Sequence, residues 1–418
     1  MELVNFKQLP KASPFVRYQY VLKQPTAPIR ERSPVEFLIE NNGYAFIDLR
    51  ETRLHVKCKI AKADGTAVSE TEKVALVNLP LQSMWKHVEV YWQNRLVSSS
   101  DQYYPYKAIL DVLLNYDTTA TRSQLQSQLF YKDSAGYMDR PDPTTGENLG
   151  LTQRWVHTKD GAEIDLEGPL YADILQQQSL LLNNVPMRIR LTPNNADFSL
   201  MSPDGVNYRL IITEAQLWVC HAELNPEVYN DISKKLQKDT AKYLYMKSEL
   251  FCHTMNAGTP LVRLDNLFQG RVPSQMVVVF VATDAFTGNY TKNPFNFQHV
   301  ALNYLDVNVN GKSLPRERPM EPDFSNKRYV EAYSLMFGSK WLTNEGNSIE
   351  REDYPGGYTI YCINIDPSSQ STFHTPIESY GNVKIEARFA EPLTESVNIL
   401  VYASFPHTIE IDATRNIL

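Results

Sequence analysis

The chain has 418 residues, 43% of them apolar, more than one hydrophobic core organises and natural for two domains of about 200 residues each. Its formal net charge of −7 argues against a protein whose main task is to coat nucleic acid, because such proteins carry a basic balance. The 24 Tyr, and 25 Pro against 17 Gly, lean toward β-sandwiches joined by long ordered loops.

Residues 1–33 differ from the rest. Lys7, Lys11, Arg17, Lys23, Arg30 and Arg32 stand against Glu2 and Glu31, with Pro10, Pro14, Pro25 and Pro28 between them. This reads as an extended basic arm separate from any core: a solvated tail, a strap on a neighbouring subunit, or a contact to an anionic interior. Met1 leads into a mixed polar stretch with no secretion signal, so a soluble protein of a reducing compartment is expected. Residues 34–224 form the first domain. Val35–Ile39 is its first strand, and residues 54–60 alternate with period two: Leu54, Val56, Cys58 and Ile60 face a core, and His55, Lys57 and Lys59 face outward. Asp64-Gly65 marks a turn. Residues 117–160 are polar and rich in Thr, Ser, Asp, Gly and Pro, too long for an ordinary connection, and read as an excursion loop that makes contacts. Strands near 164–166, 187–191 and 210–219 close this half.

Asn225-Pro226-Glu227 is a helix start, with Asn as cap, Pro in the first turn and an acid behind it. It opens a charged linker helix over 225–243, and the second domain runs from 244 to 418. Residues 276–282 are a strand buried on both faces, far short of the roughly 20 residues that span a bilayer. Asn310-Gly311 is the strongest hairpin signal in the chain. The end is a strand pair: Val383, Ile385, Ala387 and Phe389 alternate inward, then Val397, Ile399, Val401 and Ala403.

One unit occurs twice. A strand and polar turn beginning at Val88 recurs at Leu305, 217 residues on. A helix follows each copy in the same phase, with apolar Tyr106, Ile109, Leu110, Leu113 and Leu114 in one, and Tyr329, Ala332, Tyr333, Met336 and Phe337 in the other, 223 residues apart. The loops after these helices, 117–160 and 341–355, do not match. About eight strands per half predict an all-β fold: a double jelly roll of two tandem eight-stranded antiparallel β-sandwiches, each with a short inserted helix.

No catalytic motif is present: no Gly-x-Gly-x-x-Gly, Walker A, His-Glu-x-x-His or Gly-x-Ser-x-Gly. Cys220-His221 and Cys252-His253 look like metal pairs, but neighbours on a strand point to opposite faces and cannot chelate one ion. All four cysteines, Cys58, Cys220, Cys252 and Cys362, lie far apart without disulfide spacing. Asp165, Glu167 and Asp173 suggest a cation or acid/base site, without a nucleophile or oxyanion hole beside them. Tyr103-Tyr104-Pro105-Tyr106 is either a stacking platform or a packed helix start, and the lack of interleaved basic residues favours packing. No enzyme is expected, and no residue is assigned a catalytic, cofactor-binding or metal-ligating role. A carbohydrate-binding or carbohydrate-active double β-sandwich is the alternative, and it needs an acid pair or aromatic platform in a cleft.

Val77-Asn78-Leu79-Pro80, residues 85–90 and 94–100, Tyr104-Pro105-Tyr106 and residues 113–116 resemble the first-half signature of double jelly-roll major capsid proteins. Residues 270–273, 293–297 and 310–311, Gly346-Asn347-Ser348-Ile349 and residues 353–358 resemble the second half in order. The hexon-like proteins of adintoviruses, Polinton/Maverick elements and adomaviruses are the similar group, from residue 34 onward. The resemblance implies a major capsid protein whose homotrimers imitate a hexagon and tile an icosahedral double-stranded DNA virus or virus-like element. It implies neighbouring capsomers, a single jelly-roll penton protein at the vertices and minor capsid proteins as partners. The virion would be its location, after synthesis in the host cytoplasm and assembly in the nucleus, with at most weak DNA contact through the N-terminal arm.

Overall fold

The computed structural model describes residues 13–338, 346–366 and 378–418. Lys7, Lys11 and most of the start of the expected loop at 341–355 lie outside the described residues. Two β-sandwiches follow one another. The first is built from β1 (Phe15–Lys23), β2 (Val35–Ile39), β3 (Ala45–Lys62), β4 (Trp85–Trp92), β5 (Arg95–Ser99), β6 (Ile164–Pro169), β7 (Met187–Pro193) and β8 (Tyr208–Leu224). The second is built from β9 (Ala241–Met255), β10 (Leu261–Leu264), β11 (Gln275–Ala282), β12 (Leu302–Val309), β13 (Lys312–Leu314), β14 (Tyr361–Asn364), β15 (Val383–Phe389) and β16 (Val397–Ile411).

The sheet orders are β1-β8-β3-β6 and β2-β7-β4-β5 in the first half, and β9-β16-β11-β14 and β10-β15-β12-β13 in the second. Adding eight to each label converts one half into the other, and every pairing is antiparallel. Each half is a jelly roll, two four-stranded sheets packed face to face around their own inward side chains. The repeated unit of the sequence is the β4–β5 hairpin with its following helix α1 (Tyr104–Asn115), matched by β12–β13 and α4 (Val330–Gly338). Between them lie α2 (Leu149–Thr158) and the linker helix α3 (Pro226–Leu236). Both hairpins turn on two residues with positive φ: Gln93 and Asn94 at 47° and 64°, Asn310 and Gly311 at 52° and 87°. That geometry matches the right-handed twist of the strands it joins.

In β3 the side chains of Leu54, Val56, Cys58 and Ile60 are buried and those between them reach the surface. In β11 every residue is buried, because both faces of its sheet are covered. One correction concerns the arm expected over residues 1–33. From Phe15 it is β1, the edge strand of the first sandwich, paired with β8 from Phe15↔Leu224 to Lys23↔Leu217. Val16, Tyr18 and Tyr20 alternate with Arg17 and Gln19, a strand pattern that the flanking Pro and basic residues obscure. The first sandwich therefore begins near residue 15. The excursion loop at 117–160 is partly helical, with turns at Thr118–Thr121 and Gln124–Gln128 and then α2.

Candidate functional site

Residues singled out for chemistry are dispersed by the fold. Cys220 and Cys252 sit on β8 and β9 in different sandwiches. Burial pushes the Cys58 thiol up to about 12, so it is inert at neutral pH. Asp165 and Glu167 project from the outer face of β6, where Asp165 meets His55 at 2.5 Å. Asp173, by contrast, is buried in the junction between the sandwiches. Among the described residues no group of three His, Cys, Asp or Glu could hold a metal ion. Tyr104 and Tyr106 are buried: the Tyr106 ring stacks on Phe286 at 5.5 Å and meets Phe198 and Phe295 edge-on. These rings pack α1 between the halves and leave no platform for a base or a sugar.

The most deeply buried ion pairs among the described residues lie where the halves join. Lys107 on α1 reaches Asp111 at 2.8 Å, Asp173 at 3.0 Å and the Tyr402 hydroxyl of β16 at 3.3 Å. Ser248 of β9 donates its backbone N–H and its hydroxyl to Asp173, at 2.8 and 2.9 Å, and its Oγ lies 2.6 Å from the Tyr402 oxygen. Desolvation works against the Lys107 ammonium, but Asp111 and Asp173 more than offset it and hold it well above the usual lysine range. Burial raises the Asp111 carboxyl, with Lys107 opposing the rise. A closed network of this kind fixes one geometry, because any displacement leaves a charge unpaired in a dry site.

A second polar lock forms at one end of the sandwiches. Arg154 of α2 is fully buried; it bonds Asp133 at 2.6 Å and donates to the carbonyls of Leu76 and Tyr131. Asp133 crosses to the second half, accepting from Asn293 Nδ2 at 3.1 Å, while its carbonyl accepts from the Tyr358 hydroxyl at 2.7 Å. Asp139 accepts from the Asn293 backbone and from Asn296, and Lys132 pairs with Asp353. Gly150 lets α2 lie against this segment, since a Cβ there would meet the Lys132 carbonyl oxygen at 2.5 Å. The excursion loop of the first jelly roll is thus a latch on the second. The strand β9 adds a third seam: the Tyr243 ring packs edge-on against Trp92 at 5.2 Å, and Tyr245 donates to the Val97 carbonyl at 2.8 Å. Sequence reasoning missed Lys107, Arg154 and Asp133. A lysine and an arginine inside otherwise apolar helix faces were the available signal.

Comparison with known proteins agrees with this architecture. No family model matches the chain. An uncharacterised protein of Caenorhabditis elegans is 24% identical over 400 residues, 92% of each chain. A chain of the Sputnik virophage structure superposes with a TM-score of 0.65 at 12% identity, covering 100% of this chain and 91% of that one. The Faustovirus major capsid protein gives 0.62 at 10% identity, over 98% and 92%. The fold is that of the double jelly-roll capsid proteins. The mavirus major capsid protein has it too, with a TM-score of 0.55 at 11% identity over 100% of this chain and 92% of that one. The carbohydrate alternative has no support, because its aromatic cluster is packing and its acids are split between surface and junction.

Proposed function

We propose that this chain is a non-enzymatic major capsid protein, whose homotrimers are pseudo-hexameric capsomers of an icosahedral double-stranded DNA virus or virus-like element. The observation that carries this reading is the identical strand order of two sandwiches locked rigidly in one chain. Three such chains present six similar units, which a three-fold assembly needs to imitate a hexagon. Double jelly rolls in the Faustovirus and mavirus capsid proteins support it. So does the resemblance of residues 77–116 and 268–366 to the hexon-like group of adintoviruses, Polinton/Maverick elements and adomaviruses. Neighbouring capsomers, a single jelly-roll vertex protein and minor capsid proteins are the partners of that role. Its location is the virion shell, after synthesis in the cytoplasm and assembly in the nucleus. An acidic chain binds packaged DNA at most weakly, through the basic residues before 33. Light scattering on the purified protein tests the reading: particles of three times the 47.9 kDa chain mass, hexagonal in negative stain, are expected. A monomer at micromolar concentration that forms no shells in any salt overturns it.

A further inference from the structure

The buried cluster at the junction holds more than a structural ion pair needs. Two carboxylates face one ammonium: Asp111 lies 2.8 Å and Asp173 3.0 Å from Lys107 Nζ. Lys107 and Asp173 are both buried. The three groups sum to one negative charge in a dry site, a costly arrangement if joining the halves were their whole task. The ion pair and its neutral form, an amine beside an acid, hold the same protons, and burial penalises the charged form more than water does.

The members of the cluster stand where an amide-forming reaction needs them. The Lys107 amine is the nucleophile and the Asp173 carboxyl its target: with Nζ 3.0 Å from Oδ1, the carboxyl carbon is one C–O bond further on. Ser248 donates its backbone N–H to Asp173 Oδ2 at 2.8 Å and its hydroxyl to Oδ1 at 2.9 Å. An N–H fixed on a strand and aimed at a carboxyl oxygen stabilises the oxyanion that attack creates. Asp111, on the same amine, is placed to take a proton from nitrogen and return it to the departing oxygen. Ser100, Lys107, Asp173, Ser248 and Tyr402 line a cavity of about 20 Å³, space for the one water that condensation releases.

We infer that Lys107 and Asp173 condense into an intramolecular amide, formed once per chain after folding. The ion pairs described above are the state before it forms. One ammonium proton passes to the Asp173 carboxylate, and the amine attacks the resulting acid at Cγ, forming the N–C bond. The nitrogen gives a second proton to Asp111, while the Ser248 N–H holds the oxyanion. Asp111 returns that proton to the Asp173 hydroxyl, the C–O bond breaks and water leaves. The third proton stays on the amide, and Asp111 ends as the carboxylate it was, with the Tyr402 hydroxyl as a donor. No oxidant or co-reactant is needed. The closed ring spans residues 107–173 and contains Asp133 and Arg154, so the latch on the second jelly roll is carried by a covalent loop that unfolding cannot open.

The test is the mass of the full chain, folded, incubated and then denatured. The wild type should be lighter than its sequence mass by one water. Trypsin should release residues 96–122 and 160–188 as a single linked product, uncut at Lys107. Lys107→Arg keeps the charge without an attacking amine, and Asp111→Asn keeps the shape without a proton to carry. Each should keep its full sequence mass and give no linked product, with a circular dichroism spectrum matching the wild type. A folded wild type that stays at full mass overturns the inference. So does a water lost within one peptide alone, as an Asp160-Gly161 succinimide or a Lys107–Asp111 lactam gives. Linkage that persists in Asp111→Asn overturns the proton relay. The wild-type measurement decides the bond even if both variants fail to fold, and it is independent of whether the chain is a trimer.

Discussion

Two sheet faces occupy the same place in the two jelly rolls and differ in almost every property. On the second, Val277, Val279 and Val281 are buried, on the side of the sheet that carries Tyr402 and its closed cluster with Lys107, Asp111, Asp173 and Ser248. On the first, the same positions hold His55, Lys57, Lys59, Glu214 and Asp165, paired across the surface as His55–Asp165 and Lys57–Glu214. Identical topology thus carries one dry face and one wet face. The difference teaches that duplication supplies the framework, and the neighbour decides what each face must be. A face with a covering helix becomes continuous in apolar residues, and a face in water keeps the period-two alternation.

The sharpest way to break this comparison is to exchange the two characters. Val279→Asp puts an unpaired charge on the dry face and should cost more than about 4 kcal/mol by denaturant unfolding, whereas Lys59→Asp on the wet face should stay within about 0.5 kcal/mol. Equal effects would mean that the second face is not covered.

The buried network gives the next effect. Lys107→Met leaves Asp111 in a dry site without its ammonium, and should cost about 3–5 kcal/mol near neutral pH. The carboxyl of Asp111 is already raised by burial, and the loss of the opposing cation raises it further. A group with a raised folded-state value stabilises the fold below its unfolded value, and that contribution is lost as pH rises through the folded value. The deficit of the variant should therefore shrink as pH falls toward the carboxylate range. Melts of both proteins across pH check this, and a constant gap would show that the cluster is not dry.

The smallest effect compares the two hairpins. Gly311→Ala forces an L residue to φ near +87° and should cost about 1–2 kcal/mol. Asn94→Gly at the equivalent turn should change stability by less than about 0.5 kcal/mol, since Asn tolerates its φ of 64° and Gly does so freely. A large loss at Asn94 would mean that its side chain holds more than the turn.

Much of the framework was legible because it is written locally. The alternation at 54–60, the apolar run at 276–282, the Asn310-Gly311 turn and the repeated strand–turn–helix unit all report their own backbone geometry within a few residues. The first strand was not legible. In β1 the apolar residues of Val16 to Leu22 lie between Pro14 and Pro25, amid basic residues, and the partner that makes them a strand is β8, some 200 residues away in sequence. The polar residues of the junction were illegible for the same reason. Asp173 reads as one member of an acidic run with Asp165 and Glu167, yet it alone is buried, against Lys107 and Ser248.

Residue periodicity, turn chemistry and the 217-residue repeat established that this chain folds as two similar all-β units, since each is a property of neighbouring residues. Which face of each unit is dry, which acids are paired and where Tyr18 and Tyr20 stand exposed follow from how the units meet. Burial and electrostatic pairing depend on distances across the chain, and only packing sets those distances.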